Sequence, residues 1–260
     1  MHHLRTAARL LLMLLASLVL MPPQWWLMRV AAGRPVTVLP RLWFASLRHA
    51  LGIRVEVVGT PRRGGGTLFV SNHVSHFDIP VLGSLLQARF IAKDDMARWP
   101  GMPAIGALGR TLFVSRRRRD AAAVAAAVAA QLRPGDDVVL FAEGTTSSGV
   151  QVAPFKSSLF ALFLDPRAGG AWTLQPVTLA ILAVDGRPLA DGGARDAYAF
   201  HGDMDAGAHV RRFLQLSGAR VRVTFHAPIA LDDDLDRKSL ATRVHAIVAS
   251  GLGPHASRAG

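Results

Sequence analysis

The sequence predicts an α/β fold: a single domain with a mixed central sheet flanked by helices, preceded by a membrane-associating N-terminal helical segment. Three observations predict it. Apolar runs of strand length recur along the chain, helix-length stretches separate several of them, and the first fifty residues alternate large apolar groups with arginines. A chain of 260 residues suffices for one sizeable domain, and neither an internal repeat nor a long polar linker divides it. The expected divisions are residues 1–50 for the N-terminal segment, 51–250 for the domain and 251–260 for a loose tail.

Residues 10–21 are apolar except for Ser17, follow Arg5 and Arg9, and are expected to end at Pro22-Pro23. Such a run is shorter than the ~20 residues needed to cross a bilayer core. A signal peptide or single span, and helices packed on the core, are alternatives to a surface anchor. The anchor is favoured because Trp25, Trp26, Met28 and Val30, and later Leu39, Leu42, Trp43, Phe44 and Leu47 beside Arg41 and Arg48, suit helices lying among lipid headgroups.

Residues 53–58 alternate like a strand, with Val55 and Val57 on one face, and 59–66 form a turn-rich connection. A buried strand is expected at 68–70, a helix from Asp78 with Pro80 in its first turn, and a strand at 89–92 carrying Lys93 at its end. Glycines and prolines break up 96–109, and 111–114 form a strand delivering Ser115 and four arginines, Arg116 to Arg119. Residues 120–132, alanine-rich with Val124, Val128 and Leu132 spaced by four, predict a helix. Further strands are expected at 137–141, at 174–182 with Pro176 marking an edge or bulge, and at 221–225; helices are expected at 155–164 and 240–249.

The 30 Lys and Arg against 18 Asp and Glu, a net charge of +12, call for an anionic partner. Nucleic acid fits poorly: there is one tyrosine, no zinc-finger spacing and no basic helix with base-reading geometry. The absence of cysteine excludes disulfides, thiolate nucleophiles and thiolate metal sites. No Gly-x-Ser-x-Gly elbow, Walker loop or dinucleotide fingerprint is present. His73, His76 and Asp78 lack a convincing further metal ligand, so no metal site is expected.

The chemistry concentrates in Asn72-His73-Val74-Ser75-His76-Phe77-Asp78, at an expected strand-to-helix junction. A neutral imidazole accepts a hydroxyl proton near neutral pH, and a carboxylate can fix its tautomer and stabilise the imidazolium. The plain alternative is a helix-capping Asp78 with two surface histidines. Glu143-Gly144-Thr145-Thr146-Ser147 follows another strand, and such a turn offers N–H groups and hydroxyls to a phosphate or other polar head. Glu143 could instead pair with a base or an arginine. Arg116, Lys93 and Lys156 are candidates for an anionic group or plain surface cations.

These pieces resemble the glycerolipid acyltransferase family that includes 1-acylglycerol-3-phosphate acyltransferase. Four blocks agree in order: the NHxSxxD pattern from Asn72 to Asp78; Lys93 through Gly109 to Phe113-Val114-Ser115-Arg116; Phe141-Ala142-Glu143-Gly144-Thr145-Thr146-Ser147; and Gln175-Pro176-Val177. The resemblance implies His73 as general base, Asp78 as its orienter, and Arg116, Glu143, Gly144 and Thr145 as shaping the acceptor head. It implies no cofactor, acyl-CoA or acyl-carrier protein as donor, and a lysolipid acceptor at the cytoplasmic face of the cell inner membrane. Two departures stand out: Ala142 replaces the family proline, and Thr146 replaces its arginine, removing a cation from the head site. The leading expectation is acylation of 1-acylglycerol-3-phosphate to phosphatidate, with Arg116, Lys93 or Lys156 supplying charge. The alternative is a lyso-ornithine lipid O-acyltransferase, a subgroup that Glu143-Gly144-Thr145-Thr146-Ser147, Gln175-Pro176-Val177-Thr178 and Gly202-Asp203-Met204 resemble. A non-catalytic peripheral protein binding anionic lipid is the rival from outside enzymology.

Overall fold

In a computed structural model of the chain, residues 2–31, 35–93, 106, 109–114, 135–164, 172–189, 192–230 and 236–253 are described. The strands are β1 (Ile53–Val58), β2 (Thr67–Ser71), β3 (Ala88–Lys93), β4 (Leu112–Val114), β5 (Asp137–Phe141), β6 (Thr173–Val184), β7 (Arg187–Pro188), β8 (Ala219–Phe225) and β9 (Ile229–Ala230). The helices are α1 (His2–Val30), α2 (Pro35–Ala50), α3 (Asp78–Leu85), α4 (Ser157–Leu164), α5 (Ala206–Gln215) and α6 (Arg237–Ser250), with a 3-10 segment at Gly192–Ala197. Expected helix 120–132 and rim residues Arg116 to Arg119 lie outside the described residues, as do most of 96–109 and all of 254–260.

Strand order is β1-β8-β6-β2-β5-β3-β4, with short β7 and β9 both pairing with β6. The half around β2 is parallel, whereas β8 runs antiparallel to β6, so the sheet is mixed as expected. All five residues of β2 are buried, because parallel neighbours flank it and helices cover both faces. Leu68 and Val70 face a core closed by Phe160 of α4 and Leu240, Val244 and Val248 of α6. Phe69 faces the opposite core, closed by Trp43 and Phe44 of α2, Val81 and Leu82 of α3, and Phe213 of α5. Helix α3 crosses α2 closely because position 83 is glycine; a Cβ there would lie 2.4 Å from the Phe44 ring.

Three expectations need correction. Helix α1 does not end at Pro22-Pro23 but runs through both prolines. Each proline removes an intrahelical donor, a loss held in place by tertiary contacts on both sides of the pair. Trp43 Nε1 donates to Ser17 Oγ, and buried Gln24 donates from Nε2 to Val36 O. Upstream, Arg9 donates to the carbonyls of Leu214, Leu216 and Ser217 at the end of α5, joined by Arg5 on Gln215 O. Secondly, Trp43 and Phe44 face the core rather than a membrane: they are 7% and 6% exposed. The exposed apolar surface lies mostly on α1, including Leu10, Leu11, Leu14, Leu15, Leu18, Trp25 and Trp26, and on α2 it keeps Val38 and Leu42.

Thirdly, Pro176 does not sit at an edge, but the expected irregularity is there: three residues, 226–228, stand against Gln175 and Pro176 between the pairs Leu174–Ile229 and Val177–Phe225. Pro176 lies inside β6 opposite the kink between β8 and β9, where the neighbouring strand leaves the ladder and only His226 N–H reaches Pro176 O. A second register shift falls further along, between Ile181 and Ala183. Of the two valines expected to share a face of β1, Val55 packs on the core, but Val57 is 45% exposed on this edge strand.

Candidate active site

Strand β2 ends at Ser71, and Asn72 carries the pairing one residue further. Its side-chain amide copies a strand bridge: Leu179 N–H donates to Oδ1 at 2.7 Å and Nδ2 donates to Leu179 O at 2.9 Å. Asn72 therefore fixes where the chain leaves the sheet, and His73 is the first residue of the junction. The His73 ring stacks on Phe141, the last residue of β5, with centroids 3.9 Å apart and planes at 13°. Its Nδ1 meets Asp78 Oδ2 at 2.9 Å.

Asp78, the first residue of α3, does not cap that helix. Its Oδ2 also accepts the N–H groups of Val74 at 2.6 Å and Ser75 at 2.9 Å, folding the junction around the carboxylate. Its Oδ1 accepts the phenol of Tyr198 at 3.2 Å. The carboxylate is wholly buried, so these bonds offset the cost of removing it from water. An acceptor-only carboxylate on Nδ1 makes that nitrogen the N–H, leaving the Nε2 lone pair. Among the described residues Nε2 has no hydrogen-bond partner, and the His73 side chain retains 17% exposure. A base with a fixed tautomer and an open nitrogen results.

The second motif holds His73 from behind. Gly144, at φ +73°, closes a tight turn on Phe141 O, a conformation that glycine adopts freely. Glu143, 2% exposed, accepts His73 N–H on Oε1 at 2.6 Å and Ala153 N–H on Oε2 at 2.9 Å. Ser147 donates its N–H at 2.8 Å and its hydroxyl at 3.2 Å to His73 O. Both peptide groups of His73 are thus clamped by one turn. Burial pushes the Glu143 carboxyl above its usual range, while its amide donors favour the charged form. In the family proline's place, Ala142 donates to Ser71 O at 3.2 Å, a bond proline cannot make.

Of the expected site residues, the structure brings His73, Asp78, Glu143 and Gly144 together, with Thr145 exposed and Thr146 half-buried on the same turn. Lys156 has an exposed side chain, and its N–H is held by Ala142 O beside Glu143. Lys93 ends β3, but its side chain, like all of Arg116, lies outside the described residues. Among the described residues, the Glu143 oxygens meet the backbone donors of His73 and Ala153 and no arginine; Arg116 to Arg119 lie outside them. His76 turns away to pack with Phe77, Phe200 and His209. Burial, chiefly, lowers it to about 4, with His209 adding to the effect. No metal-binding cluster occurs among the described residues.

Sequence reasoning missed Tyr198 and Ser147. Ser147 stands within the quoted motif, and its place after the turn was the available signal. Tyr198 lies 120 positions from Asp78 and carries no local signal.

The acyltransferase family matches residues 53–180, which include both motifs. The chain is 36% identical to the lyso-ornithine lipid O-acyltransferase of Brucella abortus, covering 82% of this chain and 83% of that protein. It is 30% identical to the 1-acyl-sn-glycerol-3-phosphate acyltransferase of Neisseria meningitidis, covering 75% and 73% respectively. In fold it is similar to the 1-acyl-sn-glycerophosphate (LPA) acyltransferase PlsC from Thermotoga maritima, with a TM-score of 0.66 over the whole of both chains and 18% identity. On the strength of relatives aligned over most of both chains, with the His73–Asp78 junction inside the matched segment, this chain belongs to the acyltransferase family.

Proposed function

We propose that this acyltransferase moves an acyl chain from a thioester to the free hydroxyl of lyso-ornithine lipid. The His73–Asp78 pair carries the chemical part of this reading. Nε2 takes the proton from the acceptor hydroxyl as its oxygen forms a bond to the thioester carbonyl carbon. The tetrahedral intermediate collapses, the C–S bond breaks, and the imidazolium returns its proton to the departing thiolate. Asp78 keeps the tautomer and stabilises the imidazolium, as a buried carboxylate can. No covalent enzyme intermediate forms. The donor is acyl-CoA or acyl-carrier protein, both anionic and suited to a chain of net charge +12.

The closer sequence similarity, 36% to the Brucella protein against 30% to the Neisseria one, supports the ornithine acceptor over lysophosphatidate. Thr146 supports the same choice. An acceptor without a phosphate monoester has no need of a cation at that position of the turn. Lysophosphatidate remains the second reading, favoured by the exposed Lys156 on the following turn.

The exposed leucines and tryptophans of α1 support seating the protein on a membrane, which on this reading is the cytoplasmic face of the inner membrane. By length and composition α1 could cross a bilayer. Its attachments to α2 and α5 favour a helix lying along the surface, with one face docked and one face in lipid.

The test is product identification. Purified protein receives labelled acyl thioester with lyso-ornithine lipid or lysophosphatidate, in parallel with His73→Ala. The reading expects labelled ornithine lipid from the native protein and none from the variant. Phosphatidate as the sole product would move the assignment to the second reading, and equal turnover by His73→Ala would refute the mechanism.

A further inference from the structure

We propose that Tyr198, the only tyrosine of the chain, is a positioning residue of the reaction, acting on His73 through Asp78. The proposal rests on the reading of His73 as general base and adds a member from outside the family-matched segment 53–180.

Asp78 uses its two oxygens unequally. Oδ2 accepts His73 Nδ1 and the amides of Val74 and Ser75. Among the described residues, Oδ1 has the phenol alone. A carboxylate fixed only at Oδ2 can rock about that atom and swing its lone pair away from Nδ1; a donor on the other oxygen sets its plane. Tyr198 is itself held rigidly. It is fully buried, and its ring packs against Phe77 at 5.6 Å and Phe213 at 5.9 Å.

The segment carrying it is fastened to both halves of the site. Arg195 Nη1 donates to Gly149 O at 2.9 Å, and Phe200 N–H donates to Val74 O at 2.9 Å. Burial, together with the charge of Asp78 and the hydrogen bond to it, pushes the phenol well above its usual range, so it stays a donor wherever the enzyme works. The other ionisable groups around the pair do not supply this bond. Glu143 holds the backbone of His73, and His76 and His209 face each other at 3.4 Å.

A filler of the core would act through its ring; a positioning residue acts through its hydroxyl. Tyr198→Phe keeps the ring and removes the hydroxyl. Its kcat should fall roughly 10–100-fold, as for other outer partners of a reacting group, with KM for both substrates unchanged. Asp78, relieved of one donor, holds the imidazolium more tightly, so the acid limb of kcat/KM should move to higher pH. A lone tyrosine also allows the converse change without mutation. Growth on 3-fluorotyrosine alters only position 198, makes the phenol a stronger donor, and should move the acid limb to lower pH.

Opposite displacements by the two proteins are the expected result. Native kcat and an unmoved acid limb in Tyr198→Phe, or a loss confined to KM, would overturn the proposal. Should Tyr198→Phe fail to fold, the fluorotyrosyl enzyme decides alone: an unmoved limb refutes the role. His73→Ala assayed alongside separates the two levels. Activity surviving in that variant removes the general base itself, whereas an inactive His73→Ala beside an unaffected Tyr198→Phe removes only Tyr198.

Discussion

Asp78 and Glu143 are both buried carboxylates facing His73, yet their bonds assign them different work. Asp78 meets the imidazole, while Glu143 meets the peptide N–H of the same residue. Asp78→Asn should therefore cut turnover severely while lipid association persists, as vesicle cosedimentation would confirm; an unchanged rate would refute the orienting role. Glu143→Gln presents an NH₂ to one of two backbone donors that now meet carboxylate oxygens. It should cost about 1–3 kcal/mol of stability and lower kcat, both readable from denaturant melts and steady-state rates.

His76 makes a pH prediction at the same scale. Its value of about 4 in the fold, against 6.5 unfolded, means that the unfolded chain binds the extra proton first as pH falls. Stability from this residue is complete above pH 6.5 and is lost as pH falls through about 4, a linkage of ~3 kcal/mol. His76→Phe should flatten the fall in Tm over that window, and a slope identical to the native protein's would contradict the burial argument. The His73–Asp78 pairing was legible because it is local, five residues along one junction. The Tyr198 contact was not, because nothing near residue 198 indicates which buried carboxylate a distant phenol will meet.

Among elements, β2 and β5 were legible for a related reason: apolar runs ending in polar motifs mark the rim of a parallel sheet, and both motifs stand there. Helix α1 was misread because proline rules describe an isolated helix, whereas Trp43, Gln24 and Arg9 fasten this one from both ends. At Pro176 the irregularity was legible but not its place, since the extra residue belongs to the distant segment 226–228. Leu10, Leu14 and Leu18 are 50%, 55% and 61% exposed on α1. Replacing all three by Asp should abolish binding to anionic vesicles while leaving circular dichroism and Tm near native. Undiminished vesicle binding would show that another surface holds the membrane. Arg9→Ala, which frees three carbonyls at the end of α5, should instead lower Tm.

On the proposed reading, the whole molecule brings a lipid-resident hydroxyl and a soluble thioester to one rim of a sheet. Helices α1 and α2 are part of the same body as the chemistry, since Trp43 and Phe44 share a core with Phe69 and Phe141. If α1 seats on a membrane as proposed, it would hold the His73 rim in a fixed relation to the bilayer, and orientation of the reactants supplies much of the rate. On the proposed reading acceptor choice belongs to this scale too, set by the charge gathered around the turn. Thr146→Arg restores a cation there and should raise the use of lysophosphatidate relative to lyso-ornithine lipid; an unaltered ratio would place selectivity elsewhere.

The most direct test gives the native enzyme lyso-ornithine lipid and lysophosphatidate at equal concentration in the same vesicles, with a limiting labelled acyl thioester. The account predicts that label enters ornithine lipid first and predominantly, and that His73→Ala produces neither lipid. Label entering phosphatidate alone would contradict the acceptor assignment, and labelled product from His73→Ala would contradict the chemistry beneath it.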